Sequence, residues 1–251
     1  MRVGRIALFT LAGMALAGAV FALMPRDSVD ARSDEEICFD LEGSVTKTVP
    51  ACTALIDSGG YRGQELANIY FERGMSFRSW GKIDRAIADF EESSRIFPFW
   101  AGHEWLGGIY EERGVLDKAL AEYSEIIRLE PQKAAGYERR ADLWMKKGEY
   151  EKAIADWTEA IRFEHPLTVV REYSQRAAAH RILGHRAEAL ADLHSAIESY
   201  PFSGGAYNDR ARLYEELGEP NKAIDDYRRA LAVQPYDATA TAALKRLGVA
   251  P

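Results

Sequence analysis

Cysteine and histidine are scarce in this chain: two cysteines, Cys38 and Cys52, and five histidines at 103, 165, 180, 185 and 194. Two thiolates cannot close a four-ligand zinc site, and their spacing is not the Cys-x-x-Cys of a redox pair. No histidine lies near either cysteine in sequence to activate it as a nucleophile. No histidine pair has the i, i+4 ligand spacing of a helical metal site, and His180 reads as a core histidine. Gly-x-Ser-x-Gly, phosphate-loop and dinucleotide fingerprints are also missing. These absences exclude the common catalytic and cofactor-dependent classes, so neither an enzyme nor a cofactor is expected. The net charge is −7 with basic residues scattered along the chain, which leaves no cationic face for nucleic acid.

Long apolar runs are absent apart from one. Ile6 to Met24 runs 19 residues without a charge, after Arg2 and Arg5 and before the polar PRDSVDA of Pro25–Ala31. A basic start, an apolar stretch and small residues at Val29 and Ala31 describe a signal peptide over 1–31. The rival is an uncleaved anchor, because about 28 Å of helix can just span a bilayer. Both readings place residues from about 32 onward outside, periplasmic or secreted in the first case and inner-membrane anchored, facing the periplasm, in the second. Removal of 1–31 leaves 29 basic against 37 acidic residues, or −8. An exported chain with an even cysteine count favours a Cys38–Cys52 disulfide over free thiols, and such a loop adds roughly 3 kcal/mol on the chain-entropy model.

What the chain does have is a period. GKIDRAIADFEESSRIFP (81–98), GVLDKALAEYSEIIRLEP (114–131), GEYEKAIADWTEAIRFEHP (148–166), GHRAEALADLHSAIESYP (184–201) and GEPNKAIDDYRRALAVQP (218–235) share one register. Their leading glycines are 33, 34, 36 and 34 residues apart. Before each glycine runs a second helical pattern, with Tyr70, Tyr137, Tyr173 and Tyr207 followed four residues on by Gly74, Ala141, Ala177 and Ala211. His103, Gly107 and Tyr110 hold the equivalent places in the second unit. Spacings of three and four put these on one helix face. The glycines suit the turn between two helices, Ala86, Ala119, Ala153, Ala189 and Ala223 suit their crossing, and Pro98, Pro131, Pro166, Pro201 and Pro235 stop the second helix.

A 34-residue helix-turn-helix unit with this small-residue and aromatic pattern resembles the tetratricopeptide repeat family over residues 67–237. The resemblance implies an all-α, right-handed superhelical solenoid of five helix pairs (67–99, 100–133, 134–169, 170–203 and 204–237). Residues 32–66 form an N-terminal cap carrying the disulfide, in which PACTALIDSGG reads as a lone helix, and 238–251 form a C-terminal capping helix. Departures are Leu193 in place of a second-helix aromatic, His180 in place of a tyrosine, and a longer third linker.

In that family the first helix of each pair lines a concave, partner-binding face. Carried over position by position, the groove takes Asn68, Phe71, Met75 and Arg78; Glu104, Trp105, Gly108 and Glu111; Glu138, Arg139, Asp142 and Lys146; Arg171, Ser174, Ala178 and Arg181; and Asn208, Arg212 and Glu215. Phe71, Met75 and Trp105, apolar on a face meant for water, are the expected hot spots. The Lys/Asn/Arg clamp by which some members hold a terminal carboxylate is not reproduced. The expected function is a non-catalytic scaffold or adaptor for a protein or peptide partner, with no nucleic acid and no membrane insertion beyond an N-terminal anchor. The alternative is a self-associating component of a cell-envelope assembly.

Overall fold

The computed structural model describes residues 32–40, 43–164 and 168–250; the signal or anchor segment, His165 and Pro166 lie outside them. Thirteen helices and no strand occur among the described residues. Five consecutive antiparallel pairs form the array: α3 (Gly63–Ser79) with α4 (Ile83–Ile96), α5 (Trp100–Glu112) with α6 (Leu116–Leu129), α7 (Ala134–Lys147) with α8 (Tyr150–Phe163), α9 (Val170–Ile182) with α10 (Arg186–Ser199), and α11 (Gly204–Glu216) with α12 (Pro220–Val233). Each pair packs on the next, so the core is a continuous seam.

The turn inside every pair has the same chemistry. Gly81, Gly114, Gly148, Gly184 and Gly218 sit at φ between +72° and +79°, where a Cβ is disfavoured. The residue after each glycine donates its N–H five residues back, as from Lys82 to the Phe77 carbonyl at 2.8 Å, and the glycine itself donates three back. This is the Schellman closure, and it satisfies carbonyls the helix end would otherwise strand. Where the helices cross, the five alanines named above are fully buried. Gly74 admits the Phe90 ring, which would lie 2.9 Å from an added Cβ.

A second repeating device escaped the sequence reading. Arg73, Arg140, Arg176 and Arg210 each donate from two nitrogens to a carboxylate 16 residues on, Asp89, Asp156, Asp192 and Asp226, at 2.6–2.9 Å. The aspartates are buried, and each fork ties the two helices of one unit. Three of the arginines also donate back to the preceding unit, to Thr53, Ser124 and Thr158 at 2.9–3.1 Å. The second unit has Leu106 where the others have arginine; there His103 contacts Glu122 at 2.7 Å instead.

At the N-terminal end, α1 (Asp34–Cys38) packs on α2 (Val45–Asp57), and a disulfide joins Cys38 to Cys52 with their Cα atoms 4.9 Å apart. Both half-cystines are buried in a cluster with Leu55 and Ile69. The lone helix begins at Val45, five residues before the proline at which the sequence pattern placed its start. Pro50 is accommodated inside it, and Lys47 and Thr48 bond back to the Ser44 carbonyl. At the other end α13 (Ala238–Arg246) buries Ala240, Ala243 and Leu244 against the last unit. Asp237 caps it, accepting the Ala240 N–H at 2.8 Å.

Candidate functional site: the concave groove

The first helices of the pairs line one face, and α5 opens it into a cleft of about 690 Å³. It is lined by Trp100, Ala101, Glu104, Trp105 and Gly108 of α5, Arg78 of α3, Arg139 and Lys146 of α7, and Tyr123 of α6. Trp105 is half-buried: its ring stacks on Phe90 at 6.5 Å, and the Arg78 guanidinium lies 4.4 Å from its centroid. The Lys133 ammonium sits 3.2 Å from the centroid of Trp100. Each of these contacts places a cation over an indole.

Two adjacent glycines of α5 differ in their surroundings. At Gly107 a Cβ would stand 2.4 Å from the Tyr123 ring, so packing requires glycine there. At Gly108 a Cβ would meet nothing within 4 Å, although glycine inside a helix costs about 1 kcal/mol relative to alanine. No internal contact explains Gly108; it faces the open space of the cleft.

The charges around the cleft are paired across units. Arg78 meets Glu112 at 3.2 Å, Arg139 approaches Glu104 at 3.9 Å, and Lys146 bonds to Glu111. Glu111 also accepts the Tyr123 hydroxyl at 2.9 Å. Burial would raise the Glu111 carboxyl, but the Lys146 and Tyr123 donors outweigh it and hold the group below its ordinary range. The same burial, together with Glu111, pushes the Tyr123 hydroxyl well up.

Of the other expected groove residues, Ser174, Ala178, Arg181 and Arg212 line a second cleft of about 180 Å³ further along. Between the two lie Glu138, Asp142 and Arg171, joined by ion pairs of 3.5 and 2.5 Å. Asn68 is exposed and borders neither cleft.

Four of the expected groove residues have other surroundings. Phe71 and Met75 are half-buried and pack against the same core cluster as Trp105, Phe71 with Phe90 at 5.5 Å and Phe99 at 5.2 Å; neither borders the α5 cleft, and Met75 instead lines a pocket beside α1 and α2. Asn208 is buried and its side chain donates to Asp237 at 2.6 Å, which makes it part of the C-terminal cap. Glu215 is held by Arg246 and the Tyr227 hydroxyl at 2.6–2.8 Å. Conversely, Trp100 and Tyr123 belong to the cleft and were missed. The tryptophan pair five residues apart in α5 was the available signal.

Stacked helix pairs with a lined concave face define a protein–protein interaction scaffold of the α-solenoid class. Models described as Tetratricopeptide repeat match residues 71–134, 116–167 and 205–237, which together cover 130 of 251 residues. The chain belongs to the tetratricopeptide repeat family. Among solved structures it is similar to YrrB, described as a tetratricopeptide repeat protein with an unusual peptide-binding site (17% identity, TM-score 0.63, 78% of this chain and 99% of that one). It is also similar to MamA from Desulfovibrio magneticus RS-1 (13%, 0.60, 68% and 97%). A third is the C-terminal part of a repeat protein from Cytophaga hutchinsonii (18%, 0.65, 80% and 79%). At these identities the likeness is one of fold. No curated protein sequence matches the chain.

Proposed function

We propose that this protein is a non-catalytic adaptor that holds a partner peptide or protein segment in its concave groove, with the α5 cleft as the principal contact. The observation that carries the reading is the unexplained glycine at 108. The helix forgoes a side chain at a lining position of a tryptophan-lined cleft, which suits the entry of a side chain from outside. The half-buried Trp105 and its cationic neighbour Arg78 fit an anchor position of the kind that dominates interface energetics.

We further propose that the chain works in an oxidising, exported compartment. The buried Cys38–Cys52 bridge favours such a location, as does the charge pattern of residues 1–31. No helix among the described residues is long and apolar enough to cross a membrane.

Recovery of crosslinked partners from intact cells tests the groove when wild type is compared with Gly108→Trp. A Cβ at 108 meets nothing within 4 Å and a larger side chain there occupies the cleft, so a variant that folds should lose its partners. A folded variant that recovers the same partners at the same yield removes the groove from the function.

A further inference from the structure

The charges along the groove do not balance everywhere. Around the α5 cleft three basic and three acidic side chains pair one to one. At the second cleft Arg181 meets Glu216 at 2.6 Å and Arg212 meets Asp209 at 3.4 Å, again one to one. Between them, where the third unit passes to the fourth, Arg171 alone faces three carboxylates. Its nitrogens lie 2.5 Å from Asp142, 3.5 Å from Glu138 and 3.3 Å from Glu172.

Neighbouring cations do not relieve this deficit, because each is committed elsewhere: Arg139 to Glu104, Lys146 to Glu111, Arg140 to Asp156 and Arg176 to Asp192. Glu172 is the deepest of the three, with a side chain only 6% exposed. Its Oε1 takes Arg171, and its Oε2 is buried without a hydrogen-bond partner. A carboxylate desolvated in this way keeps a claim on Arg171 and leaves Glu138 and Asp142 short of positive charge. The Glu138 carboxyl is accordingly raised, first by its burial and then by Glu172. Glu138 and Asp142 are themselves 24% and 29% exposed and stand on the groove face of α7, within reach of an incoming group.

We infer that the groove selects a segment carrying two features, an uncharged apolar side chain for the tryptophan cleft and a lysine or arginine for the Glu138–Asp142 shelf. The inference rests on the groove reading above and adds the chemistry of the occupant. The cleft admits no net charge, since its own charges are already paired; the shelf supplies the only uncompensated charge among the described groove residues, and it is negative. The separation follows from helix packing. Neighbouring helices stand about 8–10 Å apart, so the shelf between α7 and α9 lies about 12–15 Å from the centre of α5. An extended chain at about 3.3 Å per residue covers that in four or five residues.

The test uses the full chain and synthetic peptide pools, acetylated and amidated at their ends. Each pool carries one leucine, and either lysine or glutamate five residues before or after it; the other positions are drawn from Ala, Ser, Thr and Gln. Binding is read by fluorescence anisotropy. Wild type should hold one lysine pool about three- to tenfold more tightly than its glutamate counterpart, in line with a partly exposed charge contact. Glu138→Lys with Asp142→Lys should invert that preference, and the isosteric pair Glu138→Gln with Asp142→Asn should erase it. Gly108→Trp should weaken every pool. Equal binding of lysine and glutamate pools, with both lost in Gly108→Trp, overturns the charge inference and leaves the groove reading in place. Binding of no pool overturns the groove reading and this inference with it.

Discussion

At Gly107 a methyl group would be driven into the Tyr123 ring, whereas at Gly108 it would enter open space. Gly107→Ala should therefore destabilise the protein by about 1–3 kcal/mol, the usual cost of overpacking. Gly108→Ala should stabilise it by about 0.5–1 kcal/mol, through helix propensity alone. Urea unfolding of the two variants reads both signs in one experiment. The arginine–aspartate forks make a second residue-level prediction. Asp156→Ala leaves the Arg140 guanidinium half-buried without its carboxylate, and a loss of about 3 kcal/mol is expected in the same assay. His180 supplies a pH dependence. Burial lowers its pKa below the ordinary 6.5, with Asp192 pulling the other way, and its Nδ1 is buried without a partner. The unfolded chain thus binds the proton more readily. The stability this site contributes is present above the unfolded pKa and is lost as pH falls below about 6.5. His180→Tyr, the residue found at the equivalent positions 110 and 214, should flatten that part of the melting-temperature profile.

Among the elements, α1 is the one that cannot stand alone. Five residues form a little over one turn, far short of what is stable in isolation, and its capping box at Ser33 and Glu36 adds only local support. The disulfide and the burial of Cys38 hold it on α2. Replacing both cysteines by serine should cost about 3 kcal/mol on the chain-entropy model, together with faster amide exchange confined to residues 34–57. Unchanged exchange in that segment would mean that packing alone seats α1. The helix pairs themselves were legible in the sequence, because glycine at φ near +74°, alanine at a crossing and aromatic at the next turn are each dictated by backbone or packing geometry. The forks were equally periodic, yet an arginine and an aspartate 16 residues apart look like surface residues until the turn folds them together.

For the molecule as a whole, the groove was only partly readable, and the reasons are physical. Position along a repeat says which helix face a residue occupies, and Arg78, Glu104, Trp105, Glu111, Arg139 and Lys146, read from it, line one cleft. It does not say whether that face is still open after neighbouring units pack. Phe71 packs on Phe99 at the start of the next unit's α5, and Asn208 bonds to the cap, because contacts between units are made by residues distant in sequence. On the proposed reading the solenoid would offer a partner the cleft over α5 and the Glu138–Asp142 shelf beyond it. Photocrosslinking in intact cells tests this directly, with a benzoylphenylalanine introduced in place of Glu104 or Glu112 in the cleft and of Thr158 or Arg228 on second helices. The account predicts a discrete partner adduct from the two cleft positions and none from the other two. Adducts from Thr158 or Arg228 alone would contradict it.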